Sequence, residues 1–399
     1  MKGDGTEPKG SAVEVLRAFF VLGLTSFGGP VAHFGYFRKE FVEKRGWLSA
    51  DDYAGLLALC QFLPGPASSQ TGFCIGLRRA GWRGGLAAWV GFTLPSALLM
   101  LALAHWIVPF QSVAMARGAL HGLQLAAVAV VAQAVWVMAR SLCPDTPRRA
   151  LALLAAAILG LQPDTFGQIL VLVIGAVIGR LALSQGGPAK PAPSVAGISV
   201  ATNRIAFACM TMFLLLLVLA FLGPDGGALG LFGAFYRAGA LVFGGGHVVL
   251  PLLRDAVVVP GWISPQLFLA GYGAAQAVPG PLFTVAAFLG AVAGSGPGGA
   301  WGAAIATVAI FLPGLLVVAA TQPYWQILRT RPNLEAVMMG VNAAVVGLLG
   351  AAFINLLTLS TVQNFWDLPI AGAALLLLTA GHARPILVVL FCAAAGAVL

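Results

Sequence analysis

Two apolar stretches of this chain are interrupted by the same three residues, Pro64-Gly65-Pro66 and Pro279-Gly280-Pro281. Each pair of prolines removes two backbone donors and blocks helix propagation, and the glycine between them admits positive φ. A helix must break there, and a segment restarting at Pro66 has proline at a position that tolerates it. The restart leaves free N–H groups at the positive end of a helix dipole, which is an anion site. Irregular backbone at membrane depth is tolerated only inside protein or against a cavity. Ser68, Ser69, Gln70 and Thr71 follow the first break and can donate to an oxyanion, whereas only Thr284 is comparable after the second. The first half is therefore expected to supply more ligands. A proline kink that serves packing alone is the competing reading, and two copies in register weaken it.

Other residues recur with the breaks. Phe27-Gly28-Gly29-Pro30 and Phe243-Gly244-Gly245-Gly246 precede them, and consecutive glycines either form a backbone nest for an anion or permit close helix contact. His33 and His247 follow as candidate protonated ligands, proton carriers or interior histidines. Arg38 and Arg254 hold matching places, each a fork for a dianion or an interfacial anchor. Gln61 and Gln276 precede the breaks, and Gln124 matches Asn342 within apolar helices; amides at such depth are expected to face the protein interior. No HExxH, paired carboxylates, Ser-His-Asp set or Walker A lysine motif occurs, so neither an enzyme nor an ATP-driven pump is expected, and no cofactor or metal is implied. The five cysteines have no zinc-ligand or CxxC spacing and read as small core residues.

The elements that position these residues come as a duplicated half-protein. The two copies are offset by 215 or 216 residues (279 − 64 = 215; 243 − 27 = 216) and share Trp47-Leu48-Ser49 with Trp262-Ile263-Ser264 and Thr93-Leu94-Pro95 with Phe311-Leu312-Pro313. Hydrophobic residues make up 59% of the chain, charged residues 9%, and mean hydropathy is +0.93. Soluble domains carry about 25% charge, so the chain is expected to be an all-α, polytopic protein of the lipid bilayer. The net charge of +9 reads as positive-inside bias in short loops rather than as a nucleic-acid surface. About six spans, near 12–29, 54–77, 86–108, 119–139, 150–162 and 166–183, precede a Gly/Pro-rich linker. One connecting span near 205–222 and about six mirrored spans follow, giving about 13 as 6+1+6. The expected domains are 1–183, a linker with its connecting helix at 184–228, and 229–399.

An even half plus one connecting helix inverts the second half. Loop charges agree: Arg78, Arg79 and Arg83 face an uncharged 294–299; Arg117 alone faces Arg329 and Arg331; Arg140, Arg148 and Arg149 face an uncharged 358–365; and Gln162-Pro163-Asp164 faces Arg384. The loop 38–45 dissents, because a span over 12–29 puts its four basic residues outside. It reads as an interfacial amphipathic segment instead.

The order FGGP, His33, Arg38, GWLS and QFLPGP, repeated more weakly as FGGGH, GWIS and QAVPGP, resembles the chromate ion transporter family in its long two-domain form. The resemblance covers nearly the whole chain. It implies an inner-membrane secondary transporter that exports chromate and confers chromate resistance, by exchange with sulfate or coupling to protons. It leaves open oxyanion uptake, an anion channel of the same fold, and a homodimer. The second copy departs from the pattern in Gly246 for Pro30 and in a His247 that does not align with His33, so the histidines are expected to differ in role.

Overall fold

The structure is a computed structural model describing residues 10–110, 114–183, 200–243, 246–325, 332–358, 365–381 and 383–398. The regular structure among these residues is all helical, and they form a multi-pass membrane protein. In the first half, α1 (Ala12–Thr25) leads to α2 (Gly29–Phe37), which continues as a π-helix over Arg38–Lys44, and α3 spans Ala50–Phe62. The helix Ala67–Phe110 turns sharply at Ala80-Gly81 and is described as α4 (67–79) and α5 (82–110). Then come α6 (Ala114–Leu142), α7 (Thr146–Leu161), α8 (Thr165–Ala182) and the connecting α9 (Val200–Leu222). The second half repeats the order with α10 (Gly227–Ala240), a 3₁₀ turn (Gly246–Val248), α11 (Val249–Val257) and α12 (Pro265–Ala275). A 3₁₀ turn (Leu282–Thr284) precedes α13 (Val285–Val292), followed by α14 (Gly299–Thr321), α15 (Pro332–Thr358), α16 (Asp367–Thr379) and α17 (Pro385–Val398).

The stretch 54–77 does not cross the fold as one span. Asp52 at the start of α3 pairs with Arg78 at the end of α4 (2.8 Å), so the two limbs run antiparallel and Pro64-Gly65-Pro66 is the tip of a hairpin. Limbs of 13 residues rise about 20 Å, short of the roughly 30 Å of a bilayer core. In the second half α12 and α13 do the same. Gly294 N–H donates to the Trp262 carbonyl (3.0 Å) at the open end, and the Phe288 ring lies against Gly271 at mid-limb. The first 14-residue helix also turns back, with Phe19 stacked on Phe41 (4.7 Å) and edge-on to Phe37 (5.5 Å). Its tip is Ser26-Phe27-Gly28-Gly29.

This folding-back relocates the dissenting basic loop. Gly10 N–H donates to the Arg79 carbonyl (3.1 Å), Arg79 pairs with Glu14 (3.3 Å), and the guanidinium groups of Arg45 and Arg79 both lie over the Trp47 ring. The segment 38–45 thus stands level with Arg78 and Arg79. Because α1 turns back, the loop lies at the same end of the fold as Arg78 and Arg79. The second half holds the matching bond, from Gly227 N–H to the Ser295 carbonyl (2.7 Å).

Among the described residues, the helix Ala67–Ile107, bent at its turn, and Met115–Leu142, Asn203–Leu222, Gly299–Tyr324 and Asn333–Leu357 are the five stretches long and apolar enough to cross a membrane. The halves interlock through them. Against α6 lie α16 and α17, with Cys392 and Gly396 at Gly122 and Gly118. Against α15 lie α7 and α8, with Ala152 at Gly347 and Gly175 at Gly340. Backbones approach so closely at these glycines that a Cβ would strike a carbonyl oxygen, the small-residue packing that membrane helices use. Asp367 on α16 accepts from His121 on α6 at 2.8 Å.

Cysteines placed at Gly46 and Gly81 should be labelled by an impermeant reagent from one face of the membrane. Labelling from opposite faces would show that 54–77 crosses the membrane as one span.

Candidate functional site

The hairpin tips of the two halves meet at the centre of the fold and bind each other. Gly65 N–H donates to the Val242 carbonyl (2.8 Å), and Gly280 N–H donates to the Ser26 carbonyl (2.8 Å). Positions 65 and 280 correspond in the repeat, as do 26 and 242, so each half gives the bond that it receives. Gly65 (φ +114°) packs on Gly314 and Gly280 (φ +95°) on Ser96. A Cβ on Gly65 would lie 2.8 Å from the Gly314 Cα, so both the backbone angle and the space require glycine. Pro279 and Pro281 are buried behind their tip.

Two cavities flank this crossing, and Leu282 lines both. The larger, about 650 Å³, holds Gln61, Gly65, Pro66, Ala67 and Ser68 from the first tip, Gly246 and Pro281 from the second half, and Asn342 from α15. Here α4 starts at Ala67, one residue past Pro66, so its unpaired N–H groups open on the cavity beside the Ser68 hydroxyl. The smaller, about 310 Å³, holds Gly28, Gly29, His247, Gln276 and Gly280 together with Gln133. Gly28 caps α2 in the left-handed conformation (φ 103°, ψ 15°), and Gly29 also has positive φ (75°). The amide nitrogen of Gln276 is buried and makes no hydrogen bond within normal geometry among the described residues. Among the described residues, no acidic side chain lines either cavity.

Several residues that the sequence grouped with the site lie elsewhere or are committed to the fold. Gln70 donates both amide hydrogens, to the carbonyls of Pro64 (2.8 Å) and Gly314 (2.9 Å). Thr71 donates back to the Ala67 carbonyl (2.8 Å). Gln70 is thus a clamp that shapes the first tip and ties it to α14. Ser69 is buried with its hydroxyl unpaired but does not line the cavity. Arg38 is exposed on the π-helix, 3.6 Å from Glu43, and the structure does not bring it to the tips. Arg254 lies beside Asp255 (3.7 Å), and Asp255 accepts from Gln168 of the first half. Neither arginine lines a cavity. Pro30 occupies the second position of α2, and Gly244 and Gly245 fall outside the described residues.

The histidines differ, as the misalignment implied. His33 is fully buried, edge-on to Phe92 (5.1 Å), and its ring nitrogens make no hydrogen bond within normal geometry among the described residues. His247 lines the smaller cavity with Nδ1 3.2 Å from the Tyr272 hydroxyl. The sequence reading missed Gln133 and the shared wall Leu282 in the lining, and Tyr272 as the partner of His247. Only Leu282 carried a signal, standing directly after the second break.

The chromate transporter family model matches twice, over 13–180 and 229–397. The chain belongs to that family. Over 88% of its length it is 30% identical to a chromate transport protein of Pseudomonas aeruginosa, covering 83% of that protein. A chromate transport protein of Cupriavidus metallidurans is 28% identical over 93% of the chain and 88% of the relative. An uncharacterized transporter of Methanocaldococcus jannaschii is 23% identical over 86% and 84%. No solved structure matches. For this member of the chromate transporter family, membership indicates a transporter rather than an enzyme.

Gln70→Leu leaves the Pro64 and Gly314 carbonyls without donors, about 1–3 kcal/mol per unmade bond, and should lower the unfolding temperature in detergent by several degrees. Ser68→Ala, which removes a hydroxyl with no fold partner, should shift it far less. Equal shifts would show that Gln70 is not the clamp.

Proposed function

We propose that this protein is a secondary active transporter that exports chromate across the cytoplasmic membrane in exchange for a second tetrahedral dianion, with sulfate as the first candidate. The observation that carries the reading is the pair of cavities at the crossed tips, walled by helix N-terminal amides, hydroxyl, amide and imidazole groups and by no carboxylate. Such a wall favours a compact dianion, because N–H and O–H donors replace its hydration shell while no fixed negative charge opposes it. Chromate and sulfate share tetrahedral shape and charge, so one donor set serves both. The names of the relatives support chromate as the exported ion. The roles assigned here are the α4 amides, Ser68, Gln61 and Asn342 in the larger cavity, and Gly28, Gly29, Gln276 and His247 in the smaller.

The reciprocal bonds at the tips and the matching bonds at the hairpin bases support an inverted-topology repeat. In this reading both tips are re-entrant and reach the midplane from opposite faces, which is where transporters of this type place substrate. The face carrying Arg38–Arg45 and Arg78–Arg83 is then cytoplasmic, and residues 294–298 lie outside. Movement of the crossed tips within the surrounding scaffold would expose the two cavities in turn.

Proteoliposomes loaded with unlabelled sulfate or chromate should accumulate labelled chromate by counterflow, while phosphate loading should support less. Flux that neither saturates nor responds to the internal anion would replace exchange with a channel. Ser68→Ala should raise the chromate KM about tenfold, as expected for a lost hydrogen bond to a charged group. Arg38→Gln should leave KM within about twofold. The reverse ranking would move the site away from the tips.

A further inference from the structure

The smaller cavity contains a titratable group that anion exchange does not need. His247 lines it, and Nδ1 sits 3.2 Å from the hydroxyl of Tyr272, which is itself fully buried. The second ring nitrogen makes no hydrogen bond among the described residues. The same cavity presents the left-handed Gly28 at the start of α2 and the buried amide nitrogen of Gln276, which makes no hydrogen bond within normal geometry among the described residues. Among the described residues, Tyr272 is the titratable group in hydrogen-bond contact with the imidazole. The charged and titratable groups on the elements packed around it are Arg117, His121 and Arg140 on α6, Arg254 and Asp255 on α11, Glu335 on α15, Asp367 on α16 and Arg384 before α17. None of them lines the cavity.

We propose that the smaller cavity is a combined proton and oxyanion site, in which His247 takes up one proton as the dianion seats. The step is a protonation alone. Neutral imidazole becomes imidazolium, the tetrahedral dianion keeps its own charge, and the pair crosses with a net charge of −1. An imidazolium with no counter-ion is costly in this enclosed cavity, and so is a dianion with no cation. Each therefore lowers the cost of the other, and the coupling is reciprocal: protons tighten anion binding and the anion tightens proton binding. Tyr272 is a positioning residue that fixes the imidazole through Nδ1. His33 cannot share this role, because it is enclosed against Phe92 and lines neither cavity. The second half thus supplies a proton carrier where the first half supplies the Ser68 hydroxyl and the α4 amides.

The inference rests on the transport reading above, and the experiment separates the two. Sulfate is the probe, since its own protonation lies far below the working pH and any pH dependence belongs to the protein. Proteoliposomes holding a trapped pH dye are given an inward sulfate gradient, with potassium and valinomycin holding the potential at zero. The wild type should acidify its lumen as sulfate enters, and its sulfate KM should rise about tenfold per pH unit above the titration of the histidine. His247→Gln should transport sulfate several-fold more slowly, with a KM that does not vary with pH and without acidification. Tyr272→Phe should keep proton movement and shift the pH midpoint. His33→Gln should keep the wild-type pH dependence. Wild-type sulfate entry without lumen acidification would overturn the inference and leave exchange intact, and so would acidification that survives His247→Gln. Absence of both sulfate and chromate counterflow in the wild type would overturn the transport reading and this inference together.

Discussion

A backbone amide or carbonyl inside a lipid-embedded protein must find its partner within the protein, because no water is available to replace it. The Pro-Gly-Pro tips make that demand acute, since the prolines end the helix and the glycine amide is left over. The protein meets it across the repeat. Gly65 N–H is accepted by Val242 and Gly280 N–H by Ser26. Each broken hairpin is completed by the other half, so neither half closes its own centre alone. Gln70 extends the tie by bridging its own tip to the carbonyl of Gly314.

The same reciprocity governs the outer helices. The last helical pair of each half packs on the long helix of the other, α16 and α17 on α6, and α7 and α8 on α15, with glycines at the closest approaches. Helices embedded in this way are displaced together or not at all, which confines relative motion to the crossing of the tips. That is where the two cavities lie, sharing the Leu282 wall. The proposed function and its coupling use this arrangement directly. A rigid scaffold surrounds a small, polar, acid-free junction, and the halves differ most in the side chains they present there.

Duplication accounts for that difference. A repeat fixes where backbone must break in both halves, yet places no requirement that both breaks carry the same donors. The first half has Ser68 at the start of a full helix, while the second begins with a 3₁₀ turn in which Thr284 donates back to the Pro281 carbonyl. The second half offers His247 with Tyr272 instead.

Much of this was legible in the sequence. Composition placed the chain in a membrane, because so few charges cannot solvate a surface. The paired Pro-Gly-Pro breaks and Gly-Gly motifs marked the centre, because proline and glycine act on the backbone wherever they stand. Gly28, Gly65, Ser68, His247, Gln276 and Gly280 all reached the candidate site from that reading alone. Direction of travel was hidden. A 24-residue apolar stretch around Pro64-Gly65-Pro66 has the length of a span, and hydropathy cannot tell a crossing from a return. Only the contacts of Asp52 with Arg78 and of Phe19 with Phe41 decide it, and they bring the basic loop 38–45 back to the face of Arg78. Arg38 and Gln70 show the same limit at the level of side chains. The sequence determined which residues are able to bind an anion, because donor chemistry is local. The tertiary structure decided which of them are free to do so, because a donor already bound to a carbonyl, or held at the hairpin base, has nothing left to offer a ligand at the tips.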